Sequence, residues 1–579
     1  MADIPRYNAG ASSHGVKPTD VKLGHALDGS DPDVERAHSE EVRAQAVTTS
    51  RMQKILLFSA LGLVSFVVFL DNSTSATYQQ YAASEFNGYS LYGTLSASSI
   101  IVCLVVQTPL TKMSDILGLG WPFAMCTLCI TIAYAVLAAS RSIGMLAAGL
   151  VLSSVGTFGL LVLGQLVMSH YTSTRSRTLG IAMFYLPNII TPFISSQLAE
   201  RVLTDLTWRW GFGIFDILYP TSGVCLIATL FYLEHRKRSS QAGTHKTLGL
   251  VEFLSQIDIV GNVLIIAGFG LTLLPITLAG TGLATFQTHF IIAMLVVGGI
   301  SLLALFGWEN WIAAHPILAP SFFRNKTIAL VAVIGALDYF AVNISHTYLY
   351  SWGITARNMD ISQANLLLFL QNVVQCGTMI IVGLVVFKIK QYKWIVVGGC
   401  IIRTIGYGVM VRLRGADNSL GEIFGVQVIQ GVGSGVMEAL LLPAVQFVVP
   451  RSQLGQVTGV VQLFRFTGAA IGITVAGAIY NNVFESALWK YMPAGTNEAY
   501  VEGIYSSLLG VVPEWGTAER LAISEAYGDV MRYMVIAAVA TSLPMFALCF
   551  LLPNTKLSDE RILVVAEETH EEKSGTIPL

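Results

Sequence analysis

Long apolar runs alternate with short polar connections along most of the chain, from about residue 55 to about residue 552. A helix of about 20 mostly apolar residues is long enough to cross a bilayer. By this rule the pattern predicts about fourteen membrane-spanning helices. They cover approximately residues 55–77, 91–111, 121–140, 143–168, 178–200, 210–233, 258–280, 288–308, 327–351, 364–387, 394–412, 421–448, 456–480 and 530–552.

The predicted ninth span carries an acidic residue, Asp338, near its middle. A carboxylate at the centre of a membrane helix costs roughly 2.5–3.5 kcal/mol on insertion scales. We therefore expect Asp338 to face the interior of a helix bundle or a water-filled cavity, where such residues commonly mark substrate or ion pathways. The alternative is a carboxylate that ties this helix to a neighbour. Further polar side chains follow in the same span, namely Asn343, His346, Tyr348 and Tyr350.

The composition agrees with a membrane protein. Of the 579 residues, 53% are hydrophobic and 12% are charged, whereas soluble domains are about 25% charged. The net charge of −2 provides no basic surface for nucleic acid. The first fifty residues are polar, which predicts a disordered tail, and they lack the apolar segment of a cleavable signal peptide.

Charged residues in the connections predict the orientation of the chain. Lys and Arg are concentrated in the even-numbered connections, for example at 236–238 and 388–393, and the first outer connection has none. By the positive-inside rule, both termini are cytoplasmic. The segment 481–529 then becomes a long outer loop rich in aromatic residues, which either cover a bulky ligand or lie at the membrane interface. These residues are Tyr491, Tyr500, Tyr505, Trp515 and Tyr527.

Enzyme, metal and nucleotide chemistry find little support in the sequence. The seven cysteines lie in apolar runs, and the pair Cys126 and Cys129 has no histidine nearby, so packing is expected. No nucleophile–base pair or metal-ligand spacing is present, and no Gly-rich run continues into a phosphate-binding Lys-Ser/Thr. We therefore predict neither a cofactor nor a resident metal, and we expect transport to be driven by a gradient.

The connection after the second span, Thr111 to Gly120, resembles a cytoplasmic motif of the major facilitator superfamily. Asp115 lies at a helix end, where a carboxylate can bind the N-terminus of a neighbouring helix, and Gly118 permits a tight turn. The match is partial, because Thr111 stands where the motif has Gly and Leu119 where it has Arg.

Resemblance to one branch of that superfamily runs along most of the chain. Eight segments match in order between about residues 66 and 555: Phe69–Thr74, Trp208–Gly213, Ile257–Gly261, Leu271–Ala279, Thr347–Ser351, Tyr392–Trp394, Val428–Gly433 and Glu525–Arg532. Together they are similar to the fungal siderophore-iron transporter family. The resemblance implies an all-α membrane protein with a major-facilitator fold of about fourteen helices, in two six-helix bundles plus a central extra pair.

This fold implies the following domain organisation. A cytoplasmic tail (1–50) precedes the N-terminal bundle (51–233), a cytoplasmic loop (234–257) and the extra pair (258–308). The C-terminal bundle (309–552) includes the outer loop 481–529, and a cytoplasmic tail (553–579) follows. In such folds the substrate cavity lies near the midplane, between the bundles.

Read in this way, the resemblance assigns roles to polar residues of the spans. Asp71 and Asp338 lie on the first and ninth spans and become candidates for proton coupling, since protonation can neutralise a desolvated carboxylate. The alternative for Asp71 is a helix-end cap near the outer surface. Candidates for the substrate path are Asn72, Tyr78, Tyr81, Arg209, Asp216, Asn343, His346, Tyr348, Tyr350 and Gln430. The alternative for the four tyrosines is anchoring at the membrane interface.

Other charges in the spans need partners. Arg209 lies between two tryptophans, which predicts a cation–π contact, although an anionic ligand is an alternative; Asp216 is two turns away and not in direct contact. Arg403 and Arg465 are costly in a membrane unless they are paired. Glu438 can pair with either, so Glu438 and Arg465 are either a compensating pair or residues that tune the substrate.

The resemblance implies a proton-coupled importer of ferric siderophores, with iron arriving already chelated. Haem import, glutathione/proton exchange and multidrug or toxin efflux are the alternatives; the absence of Cys and His from the outer loop favours siderophores over haem. The expected partners are the substrate, protons and the lipid bilayer, for a monomer in the plasma membrane or else an endosomal or vacuolar membrane. We further expect Asp338→Asn to abolish pH-driven uptake and to leave surface expression intact.

Overall fold

A computed structural model describes most of the chain as helices. The described residues are 50–172, 177–240, 258–280, 287–313, 318, 320–389, 391–414, 418–446, 448–449, 454–493, 496–506 and 513–554, and they contain no strand. Contacts divide the chain into Met1–Lys54 and Ile55–Leu579. Of the first unit only residues 50–54 are described, and they begin a helix. The predicted tails and most of the predicted cytoplasmic loop 234–257 lie outside the described residues.

The helices of the N-terminal half precede an extra pair. They are α1 (Arg51–Glu85), α2 (Tyr92–Leu117), α3 (Gly120–Ala138), α4 (Ile143–Tyr171), α5 (Arg177–Phe184), α6 (Thr191–Asp205) and α7 (Trp208–Ser240). The extra pair is α8 (Ile259–Gly280) and α9 (His289–Gly307). Short 3₁₀ turns cover Tyr89–Leu91 and Leu186–Ile189, and a π-helical turn covers Trp308–Ile312.

The C-terminal half repeats the plan of long apolar helices. Its members are α10 (Pro320–Arg324), α11 (Lys326–His346), α12 (Leu349–Arg357), α13 (Ile361–Ile389), α14 (Lys393–Leu413), α15 (Leu420–Gln446), α16 (Leu454–Tyr491), α17 (Glu498–Ser506) and α18 (Ala518–Phe550). The end of each bundle that the loop charges place away from the cytoplasm is called the outer end below.

Thirteen candidate spans in the described residues are long and apolar enough to cross a membrane. The predicted span 178–200 is not among them, because it is split into α5, a 3₁₀ turn and α6. Pro187 and Pro192 explain the split, since proline lacks the N–H that a helix needs and disfavours helical geometry in the residue before it. The all-helical membrane fold is confirmed, whereas the count of fourteen is not.

Two seams join the two bundles, and the extra pair lies against one of them. Helix α2 packs along α16, and the broken segment α5–α6 packs along α13. Helices α8 and α9 pack on each other, and α8 also contacts α2 and α16. Helix α16 therefore belongs to the C-terminal bundle while contacting both the N-terminal bundle and the extra pair.

Glycine residues of α16 allow its backbone to pack directly against the backbone of α11. A Cβ added at Gly468 would lie 1.9 Å from the carbonyl oxygen of Ala336, and one at Gly472 would lie 2.6 Å from that of Phe340. The Gly468–Gly472 spacing predicts this close crossing from the sequence. The position of α16 is thus set tightly relative to α11, which carries Asp338.

The structure corrects the predicted outer loop. Helix α16 continues to Tyr491 and α18 begins at Ala518, so both helices extend into the segment 481–529 that was predicted as a loop. The connection also contains the short helix α17. Tyr527 therefore lies within α18, where it is buried, rather than on a loop.

The tight turn predicted at Gly118 is present. Gly118 has a φ of +90°, a conformation that favours glycine, and it follows the end of α2. The N–H of Gly120 donates to Oε1 of Glu234 in α7 at 2.9 Å. A glutamate of α7 thus caps this helix start, while the side chain of Asp115 lies outside the described residues.

Candidate functional site between the two bundles

Asp71 lies inside the N-terminal bundle, surrounded by hydroxyl donors. Its Oδ2 accepts a hydrogen bond from the hydroxyl of Tyr219 at 2.6 Å, and its Oδ1 accepts from the hydroxyls of Ser75 and Tyr134. These donors come from α7, α1 and α3, so one carboxylate ties three helices together. The alternative of a helix-end cap is wrong, because α1 continues to Glu85 and Asp71 is buried.

Asp338 lies inside the C-terminal bundle and pairs with Arg403. Oδ1 of Asp338 in α11 contacts Nε of Arg403 in α14, and the two side chains are 5% and 0% exposed. Gln430 in α15 makes two hydrogen bonds with Arg403. The backbone carbonyl of Gln430 accepts from Arg403 Nη1 at 3.4 Å, and the side-chain amide of Gln430 donates to the backbone carbonyl of Arg403 at 3.3 Å. Asp338 thus faces the bundle interior and ties α11 to a neighbouring helix, which is the alternative that the sequence left open; a role in a substrate or ion pathway stays a prediction.

A second ion pair lies beside the first. Nη1 of Arg465 in α16 donates to Oε1 of Glu438 in α15 at 3.0 Å, and Nη2 contacts Oε2. The arginine also lies 4.8 Å from the ring centroid of Tyr339. Of the two partners that the sequence leaves open for Glu438, the structure selects Arg465.

The two ion pairs form one electrically balanced network. Arg465 pairs with Glu438 and is also within electrostatic range of Asp338. The network holds two acids and two arginines, and four helices supply them. The Glu438 side chain is 15% exposed, against 1% for that of Arg465. Glu438 is therefore the most accessible member.

The break between α5 and α6 brings polar groups of the N-terminal bundle to this network. Tyr185 follows α5 and lies within electrostatic range of Glu438 and Arg465. Its hydroxyl accepts from Nε2 of Gln165 at 2.7 Å. Asn188, in the 3₁₀ turn, approaches Sγ of Cys376 in α13 at 3.5 Å. The two bundles thus meet in polar contacts at the level of the network.

Aromatic rings close the two bundles against each other at the outer end; we call these contacts the outer seam. Tyr348 and Tyr480 stack with ring centroids 4.5 Å apart, and Tyr89 of the N-terminal half packs edge-on to Tyr348 at 6.4 Å. Gln80 Oε1 accepts from Ser351 Oγ at 2.9 Å and from the Tyr89 hydroxyl at 3.4 Å. The members of the outer seam are Gln80, Tyr81, Tyr89, Tyr92, Tyr348, Tyr350, Ser351 and Tyr480.

Several polar atoms in or near the outer seam are buried without a hydrogen bond among the described residues. They include the hydroxyls of Tyr348 and Tyr350, the hydroxyl of Tyr78 and Nε2 of Gln80. A buried polar group without a partner costs about 1–3 kcal/mol. Burial also raises the pKa of the Tyr89 hydroxyl, which therefore stays protonated as a donor.

Three substrate-path candidates lie on the helices that face the opposite bundle. Asn72 is exposed on α1, and so is Leu63, nine residues earlier. Because each residue turns a helix by about 100°, the two side chains lie on opposite sides of α1. The side-chain amide of Asn343 donates to the carbonyl of Tyr339 at 2.8 Å. His346 lies 3.0 Å from the Val342 carbonyl at Nδ1 and 3.3 Å from the Gln427 amide at Nε2.

Arg209 and Asp216 lie apart from the network. The Arg209 guanidinium is 4.1 Å from the Trp208 ring centroid and pairs with Glu85 at 2.9 Å. The predicted cation–π contact is therefore present, with Trp208. Oδ1 of Asp216 has no hydrogen-bond partner among the described residues.

The aromatic residues predicted for the outer loop divide into two groups. Tyr505 and Tyr527 extend the outer seam: Tyr505 packs on Tyr480 at 5.9 Å and Tyr527 on Phe484 at 4.4 Å. Burial raises the pKa of Tyr505 to about 12. The remaining residues lie outside the stack: Tyr491, which donates to Asp529 at 3.0 Å; Trp515, which packs on Arg520; and half-buried Tyr500.

Sequence reasoning missed several residues that complete these arrangements. Tyr134 and Tyr219, which donate to Asp71, lie in apolar spans and carry no local signal. Tyr89 and Tyr92 are spaced three apart at the start of the second span, a spacing that places two rings on one helix face. The sequence MFYLPN around Tyr185 did contain a signal, because a proline in a span marks a possible break.

Comparison with known proteins identifies the fold family. A family model described as Major Facilitator Superfamily matches residues 61–472, which is most of the chain. The chain belongs to the Major Facilitator Superfamily. It is therefore a multi-pass membrane protein of a transporter superfamily. Among solved structures, the peptide transporter POT covers 89% of this chain and 98% of its own, with a TM-score of 0.55 and 14% identity. A bacterial homolog of the lysosomal transporter Spinster has a TM-score of 0.54 and 14% identity, and covers 87% of this chain and 97% of its own.

Fungal members of the superfamily are similar along most of the chain. Siderophore iron transporter 1 of Schizosaccharomyces pombe is 28% identical over 542 residues, 93% of this chain and 87% of that protein. Siderophore iron transporter mirC of Emericella nidulans is 26% identical, over 89% of this chain and 87% of its own. The low affinity heme transporter str3 of S. pombe is 27% identical, over 87% of this chain and 82% of its own.

Proposed function

We propose that this superfamily member is a proton-coupled secondary transporter that imports ferric siderophore complexes. The observation that carries the proposal is the similarity, along about nine-tenths of the chain, to proteins named siderophore iron transporters. The sequence resemblance that spans residues 66–555 agrees with it. Iron enters this scheme as part of the substrate and already chelated.

The polar atoms near the outer seam suit a large, oxygen-rich substrate. Tyrosine offers a flat ring for packing and a hydroxyl for donation, and the seam concentrates both. In the arrangement described here the rings of Tyr348 and Tyr480 cover each other. In an alternating-access cycle, opening of the outer end would free these rings and hydroxyls to bind the chelate.

Proton coupling is assigned to the buried carboxylates. Asp338 is the stronger candidate, because it pairs with Arg403 and is also within electrostatic range of Arg465 and Glu438. Asp71 remains a candidate; its carboxylate accepts hydrogen bonds from three hydroxyl groups and has no ion-pair partner among the described residues. Protonation of either carboxylate would change the balance of charge within one bundle, which is how a proton gradient can drive alternating access.

Uptake of radiolabelled iron tests the proposal. The full chain is expressed in a host that lacks its own siderophore carriers and is supplied with a panel of ferric trihydroxamates, ferric catecholates and haemin. We expect accumulation of at least one ferric siderophore, abolished by a protonophore and absent with an empty vector. Failure to take up any ferric chelate, although the protein is present in the membrane, would overturn the proposal.

Haem import is the second candidate, favoured by the similarity to the low affinity heme transporter str3. The same panel separates the two. Uptake of haem iron without uptake of any ferric siderophore would transfer the proposal to haem. Outward movement of a preloaded compound, with no inward movement of iron, would instead indicate efflux.

A further inference from the structure

We propose that Arg414, at the outer end of the C-terminal bundle, forms a binding site for a small monovalent anion of halide size. The anion would balance the charge of a buried guanidinium beside α12 and α14. The inference goes beyond the proposed function and does not depend on the substrate. Three observations carry it: the burial of Arg414, the lack of an oxygen partner for its guanidinium among the described residues, and the apolar groups around it.

Arg414 directly follows the last residue of α14 and lies inside the bundle. The residue is 2% exposed, although the loop charges place this end of α14 toward the outer medium. The Trp352 ring of α12 has its centroid 5.2 Å from Cζ of Arg414. An added Cβ at Gly528 of α18 would lie 3.9 Å from the Arg414 carbonyl oxygen. Arg414 is therefore enclosed by helices rather than directed into solvent.

Four arginines are buried among the described residues, namely Arg403, Arg414, Arg465 and Arg520. Arg403 and Arg465 each pair with a carboxylate. Arg520 donates to two backbone carbonyls, at 3.2 and 3.4 Å. Arg414 is the exception, because its guanidinium contacts no oxygen acceptor in the part of the chain that the structure describes.

Only one nitrogen of the Arg414 guanidinium has a hydrogen-bond partner among the described residues. Nη2 lies 3.4 Å from Sδ of Met410, one turn earlier in α14, and a thioether is a weak acceptor. Nε and Nη1 are buried without a partner. Burial lowers the pKa of Arg414 to about 9, so the guanidinium stays charged at neutral pH. A buried charge without a counter-charge is strongly unfavourable, and an anion that accepts from these donors would remove the penalty.

The basic neighbours of Arg414 cannot supply the missing negative charge. Arg357 of α12 has its Cζ 5.9 Å from the centroid of the Trp352 ring. The imidazole of His346 in α11 lies within electrostatic range of Arg414. None of the ion pairs among the described residues includes Arg414. An anion from the medium is therefore the counter-charge that this arrangement requires.

The surroundings of Arg414 restrict the class of anion. One guanidinium supplies one positive charge, so a monovalent ion balances it, whereas a divalent oxyanion would leave a buried negative charge. Trp352 and Met410 belong to the buried apolar core of the outer end, and they offer few donors for the several oxygens of sulfate or phosphate. A halide ion has no oxygens to satisfy and fits these surroundings best.

The alternative is that Arg414 acts on α14 alone. A positive charge at the C-terminal end of a helix interacts favourably with the helix dipole, and Arg414 lies at that end. The two roles predict different results when the guanidinium is removed. A dipole role predicts lower stability at every chloride concentration, whereas an anion site predicts lower stability only when the anion is present.

Thermal unfolding of the full chain in detergent separates the two roles. Gluconate, which is far larger than a halide, is replaced stepwise by chloride at constant ionic strength. We expect a saturable rise of the thermal midpoint by about 2 °C or more. Arg414→Gln should abolish the rise and should match or exceed the unmodified chain in gluconate. No rise in the unmodified chain, or an equal rise in Arg414→Gln, would overturn the site.

Arg412→Gln is the matched control, because Arg412 is an exposed arginine two residues earlier at the same helix end. It should keep the full chloride dependence; loss of the dependence in this control would show a general effect of surface charge and overturn the site. An Arg414→Gln variant that is less stable than the unmodified chain in both salts would assign Arg414 to the helix dipole and also overturn it.

Iodide provides a direct test that stands even if Arg414→Gln does not fold. Iodide is a halide that quenches the fluorescence of an indole it contacts, and Trp352 lies beside the guanidinium. We expect a saturable component of quenching in the unmodified chain, which added chloride reverses and Trp352→Phe removes. The control Trp210→Phe, at an exposed position, should keep that component. Quenching without a saturable component, or a component that survives in Trp352→Phe, would overturn the inference.

Discussion

At the scale of single residues, Asp71 and Asp338 have different surroundings, and the difference governs what the removal of each carboxylate does. Asp71 accepts hydrogen bonds from three uncharged hydroxyl groups. Asp338 is balanced by a full positive charge on Arg403. The sequence identifies both acids as buried, but it cannot pair them, because the partners lie on other helices at sequence separations that no local pattern encodes.

The Asp338–Arg403 pair revises the expectation that Asp338→Asn leaves surface expression intact. Arg403 is fully buried, and removing one partner of a buried ion pair costs about 3–5 kcal/mol. We therefore expect Asp338→Asn to lower both the thermal midpoint and the yield of folded protein. The combination of Asp338→Asn with Arg403→Gln should recover a large part of the loss.

Thermal unfolding of the purified variants in detergent measures both effects. The matched comparison is Glu422→Gln, which neutralises an exposed acid and should leave the midpoint near that of the unmodified chain. A single Asp338→Asn variant as stable as the unmodified chain would show that Arg403 does not depend on this carboxylate.

Tyr348 provides a test of the outer seam that leaves its packing in place. Tyr348→Phe keeps the ring that stacks on Tyr480 and removes a hydroxyl without a hydrogen bond among the described residues. We expect unchanged or slightly higher stability. The substrate concentration for half-maximal uptake should rise several-fold, since the hydroxyl can no longer donate to the substrate and a lost hydrogen bond costs about 1 kcal/mol. Tyr232→Phe, on an exposed side chain, is the control; equal affinities in the two variants would contradict a role for the Tyr348 hydroxyl.

At the scale of helices, the crossing of α11 and α16 depends on the absence of side chains. Gly468→Ala places a methyl group 1.9 Å from the Ala336 carbonyl oxygen, so the backbone has to move. Overpacking of this kind typically costs about 1–3 kcal/mol. We expect a clearly lower thermal midpoint for Gly468→Ala.

The same helix supplies the control for this substitution. Gly459 has open space where a Cβ would lie, and Gly→Ala inside a helix is favourable by roughly 0.5–1 kcal/mol. Gly459→Ala should therefore keep or raise the midpoint. Equal effects at the two positions would show that the α11–α16 crossing tolerates separation.

The sequence predicted the positions of most helices, but it did not predict where several of them end or break. Apolar length locates thirteen spans because burial in lipid requires it. It fails at residues 178–200, where proline interrupts a run whose overall hydropathy is still that of a span. It also fails at residues 481–491 and 518–529, where polar residues continue α16 and α18 beyond the apolar run.

At the scale of the whole molecule, the outer seam can be forced apart at one glycine. A side chain at Gly93 meets Cα of Gly477 and the Tyr348 hydroxyl, each at 3.1 Å from the added Cβ. Gly93→Leu should therefore hold the bundles apart at the outer end. We expect maleimide labelling of a cysteine at Ser351 to rise several-fold, while uptake falls because the outer end cannot close.

Gly62→Leu is the matched control, because Gly62 is exposed and has nothing near its added Cβ. It should leave both labelling and uptake unchanged. A Gly93→Leu variant that labels at the rate of the control would show that the outer seam accommodates the larger side chain without separating.

The way in which the outer seam is held has a consequence for the surroundings the protein tolerates. Rings, hydroxyls and an amide make its contacts, whereas the ion pairs Arg209–Glu85, Arg403–Asp338, Arg465–Glu438 and Lys490–Asp529 each lie within one bundle. Dissolved ions weaken exposed charge pairs but leave stacked rings and short dipolar contacts largely unaffected. The outer seam should therefore stay equally closed at low and at high ionic strength.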